Sequence, residues 1–292
     1  MTNSQTSLRW GVEQRLEFIE FRLFWEGAVN RADITSHFGV SVPQASLDLA
    51  RYLEIAPHNL SYNRSDKKYV AAEIFKPVFL EPDAERFLAQ IGRSQSAEGS
   101  KERDPASNLP TADSVPIPFR RVDANVLKAV LSSIRAAKSI EVLYQSMSSA
   151  RPDPVWRRIS PHAFGNDGLR WHIRGFCHID GRFKDFILSR CTGARAPGVP
   201  GADRKTDTEW NEFFEALLVP NPKLTENQQS VIAMDYGMKD RQLKIPVRRA
   251  LLYYFQKRLR LDVADRLDDP QETPVIVQNK SDLERAFVGA PR

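Results

Sequence analysis

The chain has 292 residues, 41% of them hydrophobic and 10% aromatic, which is enough to build the cores of two or three domains, and its formal net charge is +5. No stretch approaches the roughly 18 to 20 apolar residues that a membrane helix needs, and residues 1–9 are polar with no apolar run for export, so a cytoplasmic protein with no membrane partner is expected. The two cysteines, Cys177 and Cys191, lack C-x-x-C spacing and are too few for a disulfide framework, so both are expected to be reduced.

In chain order, Val12, Leu16, Ile19 and Leu23 recur at helical spacing, with Phe18, Phe21 and Trp25 widening the stripe into a first helix of about four turns. Asn30 offers an N-cap for a short helix carrying Ile34 and Phe38, which Gly39 can end in the left-handed conformation. A third helix starts two residues later. Ser41 with Gln44 fits a capping box, Pro43 is tolerated in a first turn, and Val42, Ala45, Leu49, Tyr52 and Leu53 share a face expected to be buried. Two short strands at 60–62 and 68–70, joined by the polar turn 63–67, complete a winged helix-turn-helix.

The opposite face of the third helix presents Pro43, Gln44, Leu47 and Arg51 to a major groove. Gln44 suits adenine, Leu47 a thymine methyl, and Arg51 phosphate or guanine, while Ser41 and the helix N-terminus suit a phosphate. Asn63, Arg64, Lys67 and Lys68 of the wing supply backbone contacts. Residues 1–92 hold ten Lys and Arg against twelve Asp and Glu, which leaves a protein-interaction module as the rival for this domain.

Residues 93–118 are rich in Ser, Pro and charge without hydrophobic period and read as a linker. The segment 119–193 then carries thirteen Lys and Arg against six Asp and Glu, a field suited to an anionic partner. A helix over 122–138 leads into strand patterns at 140–146, 155–160, 169–178 and 183–190, separated by Gly-Asn-Asp-Gly and Ile-Asp-Gly turns. Short, tightly connected strands without an intervening long helix predict a small, strongly bent sheet or barrel. Arg157, Arg174 and Arg190 on neighbouring strands are expected to converge on a phosphate or carboxylate, with Tyr144 and Ser146 as hydroxyl donors. A Gly-, Pro- and Ala-rich shift at 193–206 opens a tail, 194–292, with helices expected near 208–218 and 247–260 and a strand at 242–245. In that tail Leu251, Leu252, Tyr254, Phe255 and Leu259 form a broad apolar face suited to a core or to a second copy.

No H-E-x-x-H, paired C-x-x-C, Walker loop, G-x-S-x-G or G-x-G-x-x-G occurs, so neither an enzyme nor a metal or cofactor site is expected. A metal-dependent nuclease built from scattered carboxylates, or a non-regulatory binder of single-stranded nucleic acid, stays open as an alternative.

The stretches SIEVLYQS, RRISPHAF, LRWHIRGF and FILSR resemble, in order, the signatures of WYL domains, with the name-giving Trp-Tyr-Leu standing as Trp171-His172-Ile173. SVPQASLDLARY and NLSYNRSDKKYV before that domain, and MDYGM and VRRALLYYFQKRLRLD after it, extend the resemblance to the dimeric repressors of bacterial phage-defence islands such as BREX and CBASS. The resemblance implies an α+β, multidomain chain: a winged helix-turn-helix binding an inverted repeat (1–92), the linker (93–118), a Sm-like or SH3-like WYL barrel sensing a nucleotide or nucleic acid (119–193), and an α/β dimerisation domain (194–292). It adds His162, Trp171 and His172 to Tyr144, Ser146, Arg157, Arg174 and Arg190 as candidate ligand contacts.

Overall fold

In the computed structural model, which describes residues 10–96, 112–113, 115–118, 120–147, 149, 152–267 and 269–287, the first apolar repeat forms α1 (Trp10–Glu26). It is followed by β1 (Ala28–Val29), α2 (Arg31–Phe38), α3 (Val42–Ile55), β2 (Leu60–Asn63), β3 (Lys68–Ala71) and α4 (Ala84–Ser96). The chain divides into two units, 1–116 and 117–292.

In the first unit Leu16, Ile19 and Leu23 of α1, Ile34 of α2, and Ala45, Leu49 and Tyr52 of α3 are buried together. The strands pair antiparallel in the order β1-β3-β2. Asn30 caps α2 through a full capping box with Asp33, and Gly39 closes the helix at φ 65°, the left-handed conformation that a glycine adopts without a Cβ clash. Ser41 caps α3 by accepting the Gln44 amide at 3.4 Å. The reciprocal half of the expected box is absent because the Gln44 side chain turns to Asp48 instead. Val42 and Leu53, expected inside, are 58% and 39% exposed. They flank the packed run Ala45–Leu49–Tyr52 rather than belong to it. Helix α4 continues to Ser96, into the segment expected to be linker; 97–111 and 114 lie outside the described residues.

The second unit opens with α5 (Ala124–Arg135), capped by Asp123, whose carboxylate accepts the amides of Asn125 and Val126. An antiparallel sheet follows from β4 (Ser139–Tyr144), β5 (Val155–Asn166), β6 (Trp171–Cys177), β7 (Arg182–Ile187) and β8 (Cys191–Gly198), in the order β7-β6-β5-β4-β8. The sheet is open, with β7 and β8 as its edges, and the closed barrel expected from the sequence is not formed. It does bend: β5 runs to Asn166, six residues past its expected end, and a register shift between Pro161 and Ala163 marks a bulge in it. Gly175 sits opposite that bulge, where a Cβ would come within 2.8 Å of the Ser160 carbonyl oxygen.

Strand β8 falls where the Gly- and Pro-rich composition suggested a domain boundary. An edge strand tolerates Pro197 and the glycines because only one side of it must pair. A register shift there, between the pairs of Ser139 and of Glu141 with β8, accompanies Ala196 at φ 49°.

The rest of the chain comprises α6 (Thr208–Asn211), β9 (Phe213–Pro220), α7 (Glu226–Asp235), β10 (Leu243–Arg248), α8 (Leu252–Arg258), α9 (Ala264–Leu267), β11 (Val275–Val277) and α10 (Lys280–Phe287). The helix expected near 208–218 is thus a single turn followed by a strand. Phe213, Phe214, Ala216, Leu217, Leu218 and Val219 are apolar at almost every position, so periods of 2 and 3.6 both fit, and pairing with β10 and β11 on either side decides for the strand. The apolar face at 251–259 is used within the chain: Leu252 is fully buried, with Leu251, Phe255 and Leu259 packed against the same core.

Candidate functional site

Pro43, Leu47 and Arg51 lie one turn apart on the exposed side of α3, Leu47 with 65% of its surface free. Gln44 is half-buried. Its Nε2 donates to Asp48 Oδ1 at 3.1 Å, and Asp48 is held from below by Arg15 of α1, Nε to Oδ2 at 2.7 Å and Nη2 to Oδ1 at 3.2 Å. No local pattern marks this anchor, because Arg15 and Asp48 meet only through the packing of two helices.

In the wing, Asn63 Oδ1 accepts the amides of Ser65 (2.9 Å) and Asp66 (3.2 Å), its Nδ2 donates to Asp66, and Lys67 takes φ 52°. Asn63 therefore shapes the turn. Arg64 and Lys67 are exposed and Lys68 is half-buried, and none of the three has an ion-pair partner among the described residues.

Behind the helix-turn-helix, the buried Glu20 carboxylate accepts the amides of Val78 (2.8 Å), Phe79 (2.6 Å) and Leu80 (2.7 Å) together with the Tyr52 hydroxyl (2.8 Å). Burial, and next to it the Glu20 carboxylate, holds the Tyr52 phenol far above its ordinary pKa; the Asn59 amide opposes this.

In the second unit the expected convergence of arginines does not occur, because Arg157 and Arg174 point to opposite faces of the sheet. Arg157 pairs in register with Val142, and Ile159 with Ile140, on the face that packs the core. There Arg157 is 4% exposed, reaches Asp180 at 3.3 Å and lies 5.8 Å from the centre of the Tyr144 ring. The Tyr144 hydroxyl is within 3.4 Å of the Ile187 amide. Arg174, beside Asp185 and Ala163, faces the other way.

That other face is covered by the tail. Arg174 donates from Nε and Nη2 to the two oxygens of Asp207, both at 2.8 Å, and Asp207 also takes His162 Nε2 at 2.8 Å and the amide of Trp210 at 3.3 Å. Arg174 Nη1 reaches Asp185 at 3.3 Å, and Asp185 meets the Tyr254 hydroxyl at 3.4 Å. His172, in the tyrosine position of the signature, packs against Tyr254 with the rings tilted by 37° and their centres 4.6 Å apart, and binds Asp167 through Nε2 at 3.0 Å. His162, His172 and Arg174 are therefore joints between the sheet and the tail. The remaining candidates are more open: Trp171 is 54% exposed, and Ser146 and Arg190 are half-buried.

Two of the cavities on this unit bear on these residues. One, of about 270 Å³, is lined by Trp171 with Arg120, Arg170 and Ser189. The other, of about 510 Å³, has His162 in its wall and Arg135, Lys138 and Arg204 around it. The sequence reading missed these five basic residues because they come from the linker side, a turn and a helix end rather than from the strands.

Burial alone would raise the Asp207 pKa, but the hydrogen bonds and charges of Arg174 and His162 outweigh it and hold the carboxyl at about 2. An unfolded aspartate titrates at about 3.9, so the stabilisation is complete above that value and is lost as pH falls toward 2. The expected result is a fall in unfolding midpoint between about pH 4 and pH 2 that is shallower in Asp207→Asn, measured by thermal denaturation.

Three family models match: the BrxR transcriptional regulator winged helix-turn-helix domain at residues 11–93, the WYL domain at 125–196, and the BrxR transcriptional regulator C-terminal dimerization domain at 213–283. The chain is similar to the DNA-binding transcriptional repressor CapW of Pseudomonas aeruginosa, 38% identical over 278 residues that cover 94% of this chain and 91% of the relative. It is similar to CapW of Escherichia coli strain KTE188 at 36% identity over 281 residues, 94% of this chain and 91% of that one, and to CapW of Stenotrophomonas maltophilia at 35% over 287 residues, 97% and 95%. Proteasome accessory factor B/C of Arthrobacter aurescens overlaps 95% of this chain at 17% identity with a TM-score of 0.29, and the chain spans 46% of that structure. With its winged-helix, WYL and C-terminal dimerization domains in this order, the chain belongs to the CapW family of transcriptional regulators.

Proposed function

We propose that the protein is a dimeric DNA-binding repressor of a phage-defence operon, which occupies an inverted repeat through α3 and the wing and responds to an anionic ligand, a nucleotide or nucleic acid, at its WYL domain. The observation that carries the DNA reading is the exposed row Pro43, Leu47 and Arg51 on α3, beside a wing whose Arg64 and Lys67 are exposed and have no ion-pair partner among the described residues. Basic charge concentrated on one edge offsets the acidic total of 1–92, and a dimer doubles each contact. Ser41 and Gln44 belong to the same surface, with Ser41 near the duplex backbone and Gln44 reading a base; Asn63 acts by presenting Arg64, Lys67 and Lys68.

Footprinting on the region upstream of the protein's own gene tests the reading. The wild type is expected to protect two half-sites about one helical turn or more apart. Arg51→Ala is expected to cost about 1–3 kcal/mol at its base step, whereas Arg64→Ala with Lys67→Ala weakens every sequence and lowers the salt slope by about 1 per lost phosphate contact. Equal affinity for an unrelated duplex at the same salt overturns the proposal.

For the dimer, α7 exposes Val231 (52%) and Met234 (74%), an apolar pair at helical spacing that the monomer leaves uncovered. Met234→Glu with Val231→Glu is expected to halve the mass seen by light scattering and to weaken operator binding together with it. An unchanged mass would remove α7 from the interface.

Ligand sensing draws on the signature residues in two ways. Trp171 is exposed and Ser146 and Arg190 are partly so, and Trp171 with Arg120 offers a stacking and phosphate-binding surface, beside Arg170 paired with Asp167. Tyr144, Arg157, His172 and Arg174 hold the sheet and its contact with the tail, so they carry the response rather than touch the ligand; His162 belongs to the same joint and also faces a cavity. The same Trp171 surface also suits a binder of single strands with no regulatory role. Specific operator protection by the wild type separates the two readings.

A further inference from the structure

The cavity of about 510 Å³ beside His162 has the size of a small-ligand site and a lining in which three basic side chains outnumber one carboxylate. Its floor is apolar, from Pro161, Phe183 and Ile134. Arg135, Lys138 and Arg204 stand around it, exposed and with no side-chain partner among the described residues. The only carboxylate in its lining, Asp203, is engaged with the Lys205 amide at 2.9 Å.

The walls are built rather than incidental. The carbonyls at the end of α5 are taken up internally, Ser132 by the Ala136 amide (3.0 Å), Ser133 by Lys138 (2.9 Å) and Ile134 by Ala137 (3.2 Å), which reduces the number of acceptors turned toward an anion. The loop on the other side is tied to β5, since the buried Ser160 hydroxyl accepts the Gly201 amide at 2.9 Å. Gly201 must be a glycine for this, because a Cβ there would lie 2.8 Å from the His178 ring and 2.9 Å from that of Phe176.

We propose that this cavity binds a phosphate monoester with a flat apolar body of about mononucleotide size, its phosphate held by Arg135, Lys138 and Arg204 and its ring resting on Phe183 and Pro161. The proposal deepens, and rests on, the reading of the WYL domain as a sensor, and it supplies the route by which occupancy is felt. His162 lines the cavity and at the same time holds Asp207, which carries the bidentate contact of Arg174 and caps α6 at the start of the tail. An anion in the cavity competes with Asp207 for the His162 ring, so it acts on the joint between sheet and tail.

A free mononucleotide and the phosphorylated end of a short strand share this chemistry. Calorimetric titration of the full chain with AMP, with a 5′-phosphorylated dinucleotide and with the same dinucleotide bearing a 5′-hydroxyl tells them apart. Both phosphorylated probes binding at least about tenfold more tightly than the hydroxyl form, with that preference lost in Arg135→Ala/Arg204→Ala at an unchanged unfolding midpoint, is the expected result. Tighter binding of the phosphorylated dinucleotide than of AMP identifies a strand end as the source, and the reverse identifies the free nucleotide. His162→Gln is expected to keep binding within about threefold while abolishing the probe's effect on operator affinity.

Probe binding that survives Arg135→Ala/Arg204→Ala but is lost in Trp171→Ala overturns this cavity and leaves the sensor reading standing. If no probe saturates up to millimolar concentration, the cavity is overturned, and the sensor reading is then decided by whether longer oligonucleotides shift operator affinity.

Discussion

Replacing Arg174 by Met is expected to lower the stability of residues 117–292 by about 3–5 kcal/mol, because it strands a fully enclosed carboxylate rather than merely deleting a contact. Asp207 is 1% exposed, and two of the hydrogen bonds that make its ionised form tolerable come from the Arg174 guanidinium. His162 and the Trp210 amide remain, and they do not replace a bidentate cation. For a unit of this size the loss corresponds to roughly 6–20 °C in unfolding midpoint. Arg174→Met combined with Asp207→Asn should recover more than half of it, since the second change removes the stranded charge. Calorimetry on the single and double variants checks this. A midpoint within about 2 °C of wild type for Arg174→Met would mean that water reaches Asp207 and that the joint is far weaker than its geometry indicates. The prediction also bears on function: an unresponsive Arg174 variant reports a broken joint, and only variants of the exposed basic residues report on the ligand itself.

The second large effect is expected at Glu20. Four donors converge on this carboxylate, three from consecutive backbone amides and one from the Tyr52 hydroxyl. Glu20→Ala leaves the buried Tyr52 hydroxyl and three part-buried amides without this acceptor, at about 3 kcal/mol or more given roughly 1–3 kcal/mol for each donor that water does not rescue. Hydrogen exchange at the amides of Val78, Phe79 and Leu80 should rise by orders of magnitude, while the amides of β2 and β3 change only as far as global stability falls. Uniform loss of protection across residues 10–80 would show instead that Glu20 supports the whole unit and not this one segment. Glu20→Gln is expected to be nearly as damaging, since its NH₂ group cannot accept.

The helix-turn-helix was legible in the sequence for local reasons. The Asn30 cap, the left-handed Gly39, the Ser41 cap and the polar turn before Lys68 are signals carried within four or five residues. The buried charges were not legible. Arg15 with Asp48, Glu20 with residues 78–80, and Arg174 with Asp207 are each separated by more than thirty positions, and in a one-dimensional pattern each looks like an ordinary solvated charge. The basic middle segment was read correctly as a concentration of positive charge, yet its arginines were assigned to one site because strand alternation alone does not say which face a covering domain takes. Once α6 and α8 lie on the outer face, Arg174 becomes part of a joint, and the accessible positive charge passes to Arg135, Lys138 and Arg204 on one side and Arg120 on the other, where Arg170 is paired with Asp167. Strand β9 shows the same limit in reverse: an almost continuous apolar run has no period to read, and only its neighbours settle its conformation.

The contact between Gln44 and Asp48 has a consequence for sequence preference in the proposed complex. A carboxylate only accepts, so it fixes which way the amide is turned: the NH₂ end faces Asp48 and the carbonyl oxygen is directed away from it. An outward oxygen favours a base that offers a hydrogen in the major groove, the amino group of adenine or cytosine, over guanine, whose groove edge offers only acceptors. Arg15, one helix away from the duplex, maintains that orientation by holding Asp48, and its loss would let the amide rotate and blur the choice of base pair without removing any contact to DNA.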